Sequence, residues 1–156
     1  MKLFVDTNWL VAAYFIKRDE NRSAIVRKFA ARWDFPWHVP APALLECRNT
    51  FASLSSETEG AEWKALQKDV GSKLLLFEMG WASIANAADQ LVSRFSCKGR
   101  IGTLDLMILA SALKGEATHL LSFDTNSNLR AVAAILKLKV YPELSAEDKR
   151  RMRLFR

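Results

Sequence analysis

The chain has 156 residues, half of them apolar, and a formal net charge of +6. Such a chain fits one globular domain that buries roughly 70% of its extended surface, which excludes both a disulfide-dependent mini-protein and a chain too polar to fold. Two cysteines without a CxxC pairing, no signal-peptide pattern after Met1 and no run near the ~20 apolar residues of a bilayer span lead us to expect a cytoplasmic protein with free thiols, no sulfur-bound metal and no membrane partner.

In chain order, Leu3-Phe4-Val5 reads as a short buried strand that stops on Asp6-Thr7-Asn8. Leu10, Val11, Tyr14 and Phe15 then have helical spacing, and a second helix is expected from about Asn21 to Trp33. Pro36, Pro40 and Pro42 frame an extended piece, Trp37-His38-Val39, and Pro42 suits the first turn of a helix running through Leu54. A further helix is expected over Thr58 to Val70, then a strand at Leu74-Leu75-Leu76. Trp81, Ile84, Ala88, Leu91, Val92 and Phe95 recur at three and four residues as one amphipathic helix. Thr103 to Leu113 reads as a helix apolar nearly all round, with Thr103 as its N-cap. A strand ending at Asp124, a helix to about Lys137 and a last strand, Lys139-Val140-Tyr141, complete the pattern.

Strands alternating with helices predict an α/β three-layer sandwich with a mainly parallel, about five-stranded sheet. Residues 1–142 form one unit, and 143–156 a basic C-terminal tail. The positive charge lies at the end of that tail: Lys149, Arg150, Arg151, Arg153 and Arg156 have no acid among them, and the residues before Lys149 include 18 basic against 17 acidic ones. These cations suit RNA phosphates or a solvated end, and the interleaved Met152, Leu154 and Phe155 favour docking.

The tripeptide Asp-Thr-Asn recurs at Asp124-Thr125-Asn126, again after an apolar run. Parallel strands place both aspartates on one sheet edge, where α/β folds bind ligands. Each aspartate alone is an ordinary helix cap; two on one edge suggest a metal site. Asp105 is the only charge between Thr103 and Lys114, and an ionised carboxylate in so apolar a helix requires something positive facing it, although a place in the first helical turn makes it tolerable. Glu46, with Asn49, Thr50 and Ser53 at helical offsets, belongs on the physics alone to a solvated polar face. Trp9 is suited to base stacking, with core packing as the default, and His38 and His119 read as structural.

In this order, Asp6-x-Asn8 after the first strand, Glu46 early in a helix, Asp105 at the head of an apolar helix and Ser122-Phe123-Asp124 after a strand resemble a PIN domain, in particular the VapC-type toxin ribonucleases. The resemblance spans Met1 to Tyr141. It implies a Mg²⁺- or Mn²⁺-dependent endoribonuclease acting on RNA, usually a homodimer, silenced by a small antitoxin. Carried over, Asp6, Glu46, Asp105 and Asp124 are the acidic cluster, with Asn8 and Ser122 as polar supports. Asp6 and Asp105 are the expected metal ligands, and Glu46 or Asp124 handles the attacking water. Hard oxygen donors favour Mg²⁺ or Mn²⁺ over Zn²⁺. Some relatives carry a further acid after the last motif, where this chain has Asn126, Ser127 and Asn128. The competing readings are an aspartyl-phosphate phosphatase, disfavoured by Asn8 where a second acid belongs, a silent PIN-like module binding RNA or a protein, and a purely structural interaction domain.

Overall fold

The computed structural model describes residues 1–33, 36–56 and 59–156. The chain order is β1 (Leu3–Val5), α1 (Thr7–Tyr14), α2 (Glu20–Arg32), β2 (Trp37–Pro40), α3 (Ala41–Ser55), α4 (Ala61–Asp69) and β3 (Leu74–Phe77). There follow α5 (Trp81–Leu91), a π-helical turn (Val92–Ser96), α6 (Thr103–Lys114), β4 (His119–Leu121), α7 (Leu129–Ile135), β5 (Lys139–Tyr141) and α8 (Ala146–Leu154). The five strands are all parallel, in the order β3-β2-β1-β4-β5. The expected α/β layered architecture is therefore present.

Sheet order determines the layers. Successive connections run outward from β1 to β3, then cross back to β4 and β5. Right-handed crossovers place α1 to α4 on one face and α5 to α7 on the other. Direction reverses between β1 and β4, the kind of crevice at which open parallel sheets bind ligands. β1, covered on both sides, has no polar residue: Leu3, Phe4 and Val5 are fully buried. Gly115 lets the chain after α6 pass against the Phe4 ring, where a Cβ would collide.

Several expected boundaries shift for local reasons. The helix expected from Thr58 begins at Ala61, and Thr58 itself lies outside the described residues. The amphipathic run through Phe95 leaves α-helical geometry at Val92. Gly102, not Thr103, is the N-cap of α6, which puts Asp105 at the third helical position. Asp124 caps no helix: α7 starts only at Leu129, because the Asp124 side chain bonds its own downstream backbone as a turn. Trp9 is fully buried, stacked on Phe123 at a centroid distance of 5.0 Å and edge-on to Phe29 at 5.4 Å, so base stacking is excluded and core packing holds. The C-terminal segment forms a docked helix with a capping box at Ser145, and Phe155 is buried against Phe95. No described helix is long and apolar enough to cross a membrane.

Candidate active site

Strand register builds the centre of the site. Val5 pairs with Leu121, so the next residues, Asp6 and Ser122, leave the sheet side by side. Asp6 N–H closes the ladder on the Leu121 carbonyl at 3.0 Å, and Ser122 Oγ donates to Asp6 Oδ2 at 2.8 Å. Asp6 also caps α1, its Oδ1 accepting from Thr7 N–H at 2.7 Å. Asn8, one turn on, accepts the Phe123 N–H at 2.8 Å and ties the two strand ends together.

Glu46 arrives from α3. Thr7 Oγ1 donates to Glu46 Oε2 at 2.6 Å, and the side chain is partly buried, which corrects the solvated-face expectation. An i, i+3 and i+4 pattern could not show this, because the partner lies 39 residues away. Asp124 is gripped by its own turn: Asn126 N–H and Ser127 N–H donate to Oδ1 at 2.8 and 3.2 Å, and Ser127 Oγ donates to Oδ2. The Ser127 side chain also favours the ionised form of Asp105. The charged groups acting on Asp105 are Asp124 and Glu46, carboxylates rather than the cation that its apolar helix calls for.

All four acids line one open cavity of about 550 Å³, with Asn8, Thr7, Thr50 and an apolar wall of Val11, Ala12, Phe15 and Leu54. Arg18, Asp19 and Arg22 form its rim. Arg22 pairs with Asp19 at 3.2 Å and lies over the Phe123 ring at 5.4 Å. Sequence reading missed both arginines: Arg18 belongs to the charge run Lys17 to Glu20, which reads as an ordinary connection, and Arg22 to the helix expected after it. It also missed Thr7 and Ser127, whose signal was only their ability to cap.

Crowding has an electrostatic cost. Burial pushes Asp6 up to about 7, with Glu46 and Asp105 adding to the rise and the Ser122 and Thr7 hydrogen bonds opposing it. Asp105 is pushed up to about 6, first by burial, then by Asp124 and Glu46. Burial, then Asp6 and Glu46, push the Cys47 thiol up to about 12, so this sulfur stays protonated. His38 stacks on Phe4 and His119 contacts Thr118, both away from the cavity.

A divalent cation fits this donor set: the oxygens are hard, converge from four segments, and carry more negative charge than their surroundings offset. Among the described residues no group of three or more His, Cys, Asp or Glu is arranged to hold a metal alone. Mg²⁺ needs only one or two protein carboxylates and keeps several waters.

The five-stranded parallel fold, with acids gathered at its switch point, defines an α/β domain with an acidic site. The PIN domain family model matches residues 3–135, and the chain belongs to that family. No curated protein matches it. Among solved structures, it is similar to *Mycobacterium tuberculosis* VapC20, a Sarcin-Ricin loop cleaving toxin, with 14% identity, a TM-score of 0.64 and coverage of 80% of this chain and 92% of that one. It is also similar to VapBC2 from *Rickettsia felis* bound to a promoter DNA fragment, with 20% identity, TM-score 0.64 and 90% and 97% coverage. FitAcB from *Neisseria gonorrhoeae* shares the fold at 18% identity, TM-score 0.59 and 89% and 96% coverage.

Proposed function

We propose that the protein is a cytoplasmic, Mg²⁺- or Mn²⁺-dependent endoribonuclease, the toxin of a toxin-antitoxin pair. The observation that carries the reading is the convergence of Asp6, Glu46, Asp105 and Asp124 on one cavity at the β1/β4 switch point. The similar solved structures add the biological context, since they include a Sarcin-Ricin loop cleaving toxin and toxin-antitoxin assemblies bound to DNA. A small antitoxin and a second copy of the chain are the partners that this context supports.

Asp6 and Asp105 would hold the ion. When bound, it supplies Lewis-acid stabilisation of a phosphodiester oxygen and acidifies water for attack. Ser122 and Thr7 fix the Asp6 carboxylate, and Asn8 fixes the strand end behind it. Glu46, held by Thr7, and Asp124, held by its turn, orient the attacking water and accept its proton, leaving 5′-phosphate and 3′-hydroxyl ends. Arg18 and Arg22 on the rim offset the acids and take flanking phosphates of the RNA. Lys149, Arg150, Arg153 and Arg156 are exposed on α8 and at its end for weaker, longer-range attraction.

The test is incubation of the purified protein with total RNA in Mn²⁺ or EDTA, beside Asp6→Ala and Asp105→Ala. Cleavage that needs Mn²⁺ and disappears in both variants supports the reading; RNA left intact by the folded wild-type protein in Mn²⁺ overturns it in favour of a silent binding module. A short reading frame adjoining the gene supports the toxin assignment.

A further inference from the structure

The C-terminal segment carries five cations that its composition offers to RNA or solvent. Their hydrogen bonds divide them. The Arg150 side chain is 75% exposed and pairs with Glu147 on its own helix. Arg151, its neighbour, is 20% exposed and turns inward: Nη1 donates to the backbone carbonyl of Ser127, while Nε holds Glu147 at 3.2 Å. Ser127 is the residue whose N–H and Oγ grip Asp124. One guanidinium on α8 thus stands directly behind the turn that orients a carboxylate of the site.

Other contacts make α8 a rigid support for that arginine. Arg130 of α7 is buried and reaches in the opposite direction, its Nε to Asp148 at 3.1 Å and its Nη2 to the Pro142 and Glu143 carbonyls at 2.8 and 2.9 Å. Its Nη1 donates to the Ser122 carbonyl, the backbone of the residue whose hydroxyl holds Asp6. Asp148 closes the capping box with Ser145, and Phe155 fixes the far end of the helix beside Gly99. Charged donors on neutral carbonyls are strong, oriented bonds, and the turn between Ser122 and Leu129 is held from both ends.

We infer that α8 is a brace for the acidic centre, in which Arg151 is a positioning residue that acts through Ser127 to fix Asp124 and makes no RNA contact. The inference rests on the metal-dependent nuclease reading. Its sign is distinctive. By charge alone, removing a cation near the carboxylates strengthens binding of a divalent ion; by loss of positioning, the same removal weakens it.

The experiment titrates Mn²⁺ into RNA-free protein, following free Mn²⁺ by electron paramagnetic resonance, for wild type, Arg151→Ala, Arg151→Lys and Arg153→Ala. Loss of an outer-shell partner typically costs 10- to 100-fold in metal affinity, so Arg151→Ala is expected to bind Mn²⁺ about 10-fold more weakly, with Arg151→Lys in between. Arg153→Ala, which removes an exposed charge from the same helix, should bind no more weakly than wild type. RNA affinity in EDTA, measured in the inert Asp6→Asn background, should not change with Arg151→Ala. Unaltered or tighter Mn²⁺ binding by both Arg151 variants overturns the brace, and so does weakened RNA binding with normal Mn²⁺ affinity, which would make Arg151 an RNA contact. If Arg151→Ala loses its fold by circular dichroism, Arg151→Lys decides by the same criterion. Wild-type protein that neither binds Mn²⁺ nor cleaves RNA overturns the nuclease reading itself, whereas normal wild type with normal Arg151 variants overturns the brace alone.

Discussion

Ser122 Oγ meets Asp6 Oδ2 at 2.8 Å across a separation of 116 residues, at the point where β1 and β4 leave the sheet together. The same hydroxyl accepts the Asp124 N–H at 3.0 Å, so one small side chain links the first and last acids of the cluster. Ser122→Ala should remove this link without opening a large cavity. Metal affinity is expected to fall ~10-fold, as for loss of an outer-shell partner, with the fold retained. Mn²⁺ dependence of cleavage beside a melting curve measures both.

Asp6 makes metal-free stability depend on pH. Its folded value of about 7 lies above the ordinary 3.8, so between these limits the folded chain keeps a proton that the unfolded chain releases. Stability in EDTA should therefore be highest below pH 3.8 as far as this group is concerned, fall as pH rises towards 7, and level off above it. The full effect is about 4 kcal/mol at one pKa unit per 1.36 kcal/mol, and is an upper bound. Mn²⁺ should reverse the slope, because only the carboxylate binds the ion. Asp6→Asn should melt higher than wild type at pH 8 in EDTA, gain nothing from Mn²⁺ and cleave no RNA. Thermal melts from pH 5 to 8 with and without Mn²⁺, beside a cleavage assay, test these outcomes.

Glu46→Gln separates charge from shape. The amide oxygen can still accept from Thr7 Oγ1, which now meets Glu46 at 2.6 Å, so the melting temperature should stay within a few degrees. General-base assistance is worth ~10²–10⁴-fold, and turnover should drop accordingly while RNA binding persists. Single-turnover cleavage beside RNA binding in EDTA distinguishes the two effects.

Arg22 should act on substrate affinity rather than chemistry. Replacing it with Gln removes one rim cation and its place over Phe123. KM for RNA is expected to rise about 5-fold with kcat nearly unchanged, and the salt slope of binding to fall by about 1. Cleavage across a salt series provides the check.

Trp9→Ala tests the core rather than the site. The ring is fully buried among Phe29, Trp37, Phe123 and Tyr141, and truncating a buried Trp costs ~3–5 kcal/mol. Denaturant melts should show that loss.

The acids were legible because each interrupts a local pattern: Asp6 and Asp124 end apolar runs, and Asp105 breaks an otherwise apolar helix. Strands and most helices were legible from periodicity for the same reason. Glu46 carried no such signal, since its offsets fit a solvated face equally well, and only the resemblance placed it in the cluster. The roles of Thr7, Arg22, Ser127, Arg130 and Arg151 stayed hidden because their partners lie on other elements or on backbone atoms. The start of α7 was misplaced because a side chain that can cap a helix can equally close a turn.

The carboxylates come from segments spread between positions 6 and 124, and Asp6 depends on a hydroxyl delivered by the fourth of five strands. A nascent polypeptide still lacking that strand carries three of the acids with no scaffold to align them. The acidic centre of this design is therefore assembled only once the fourth strand has been made.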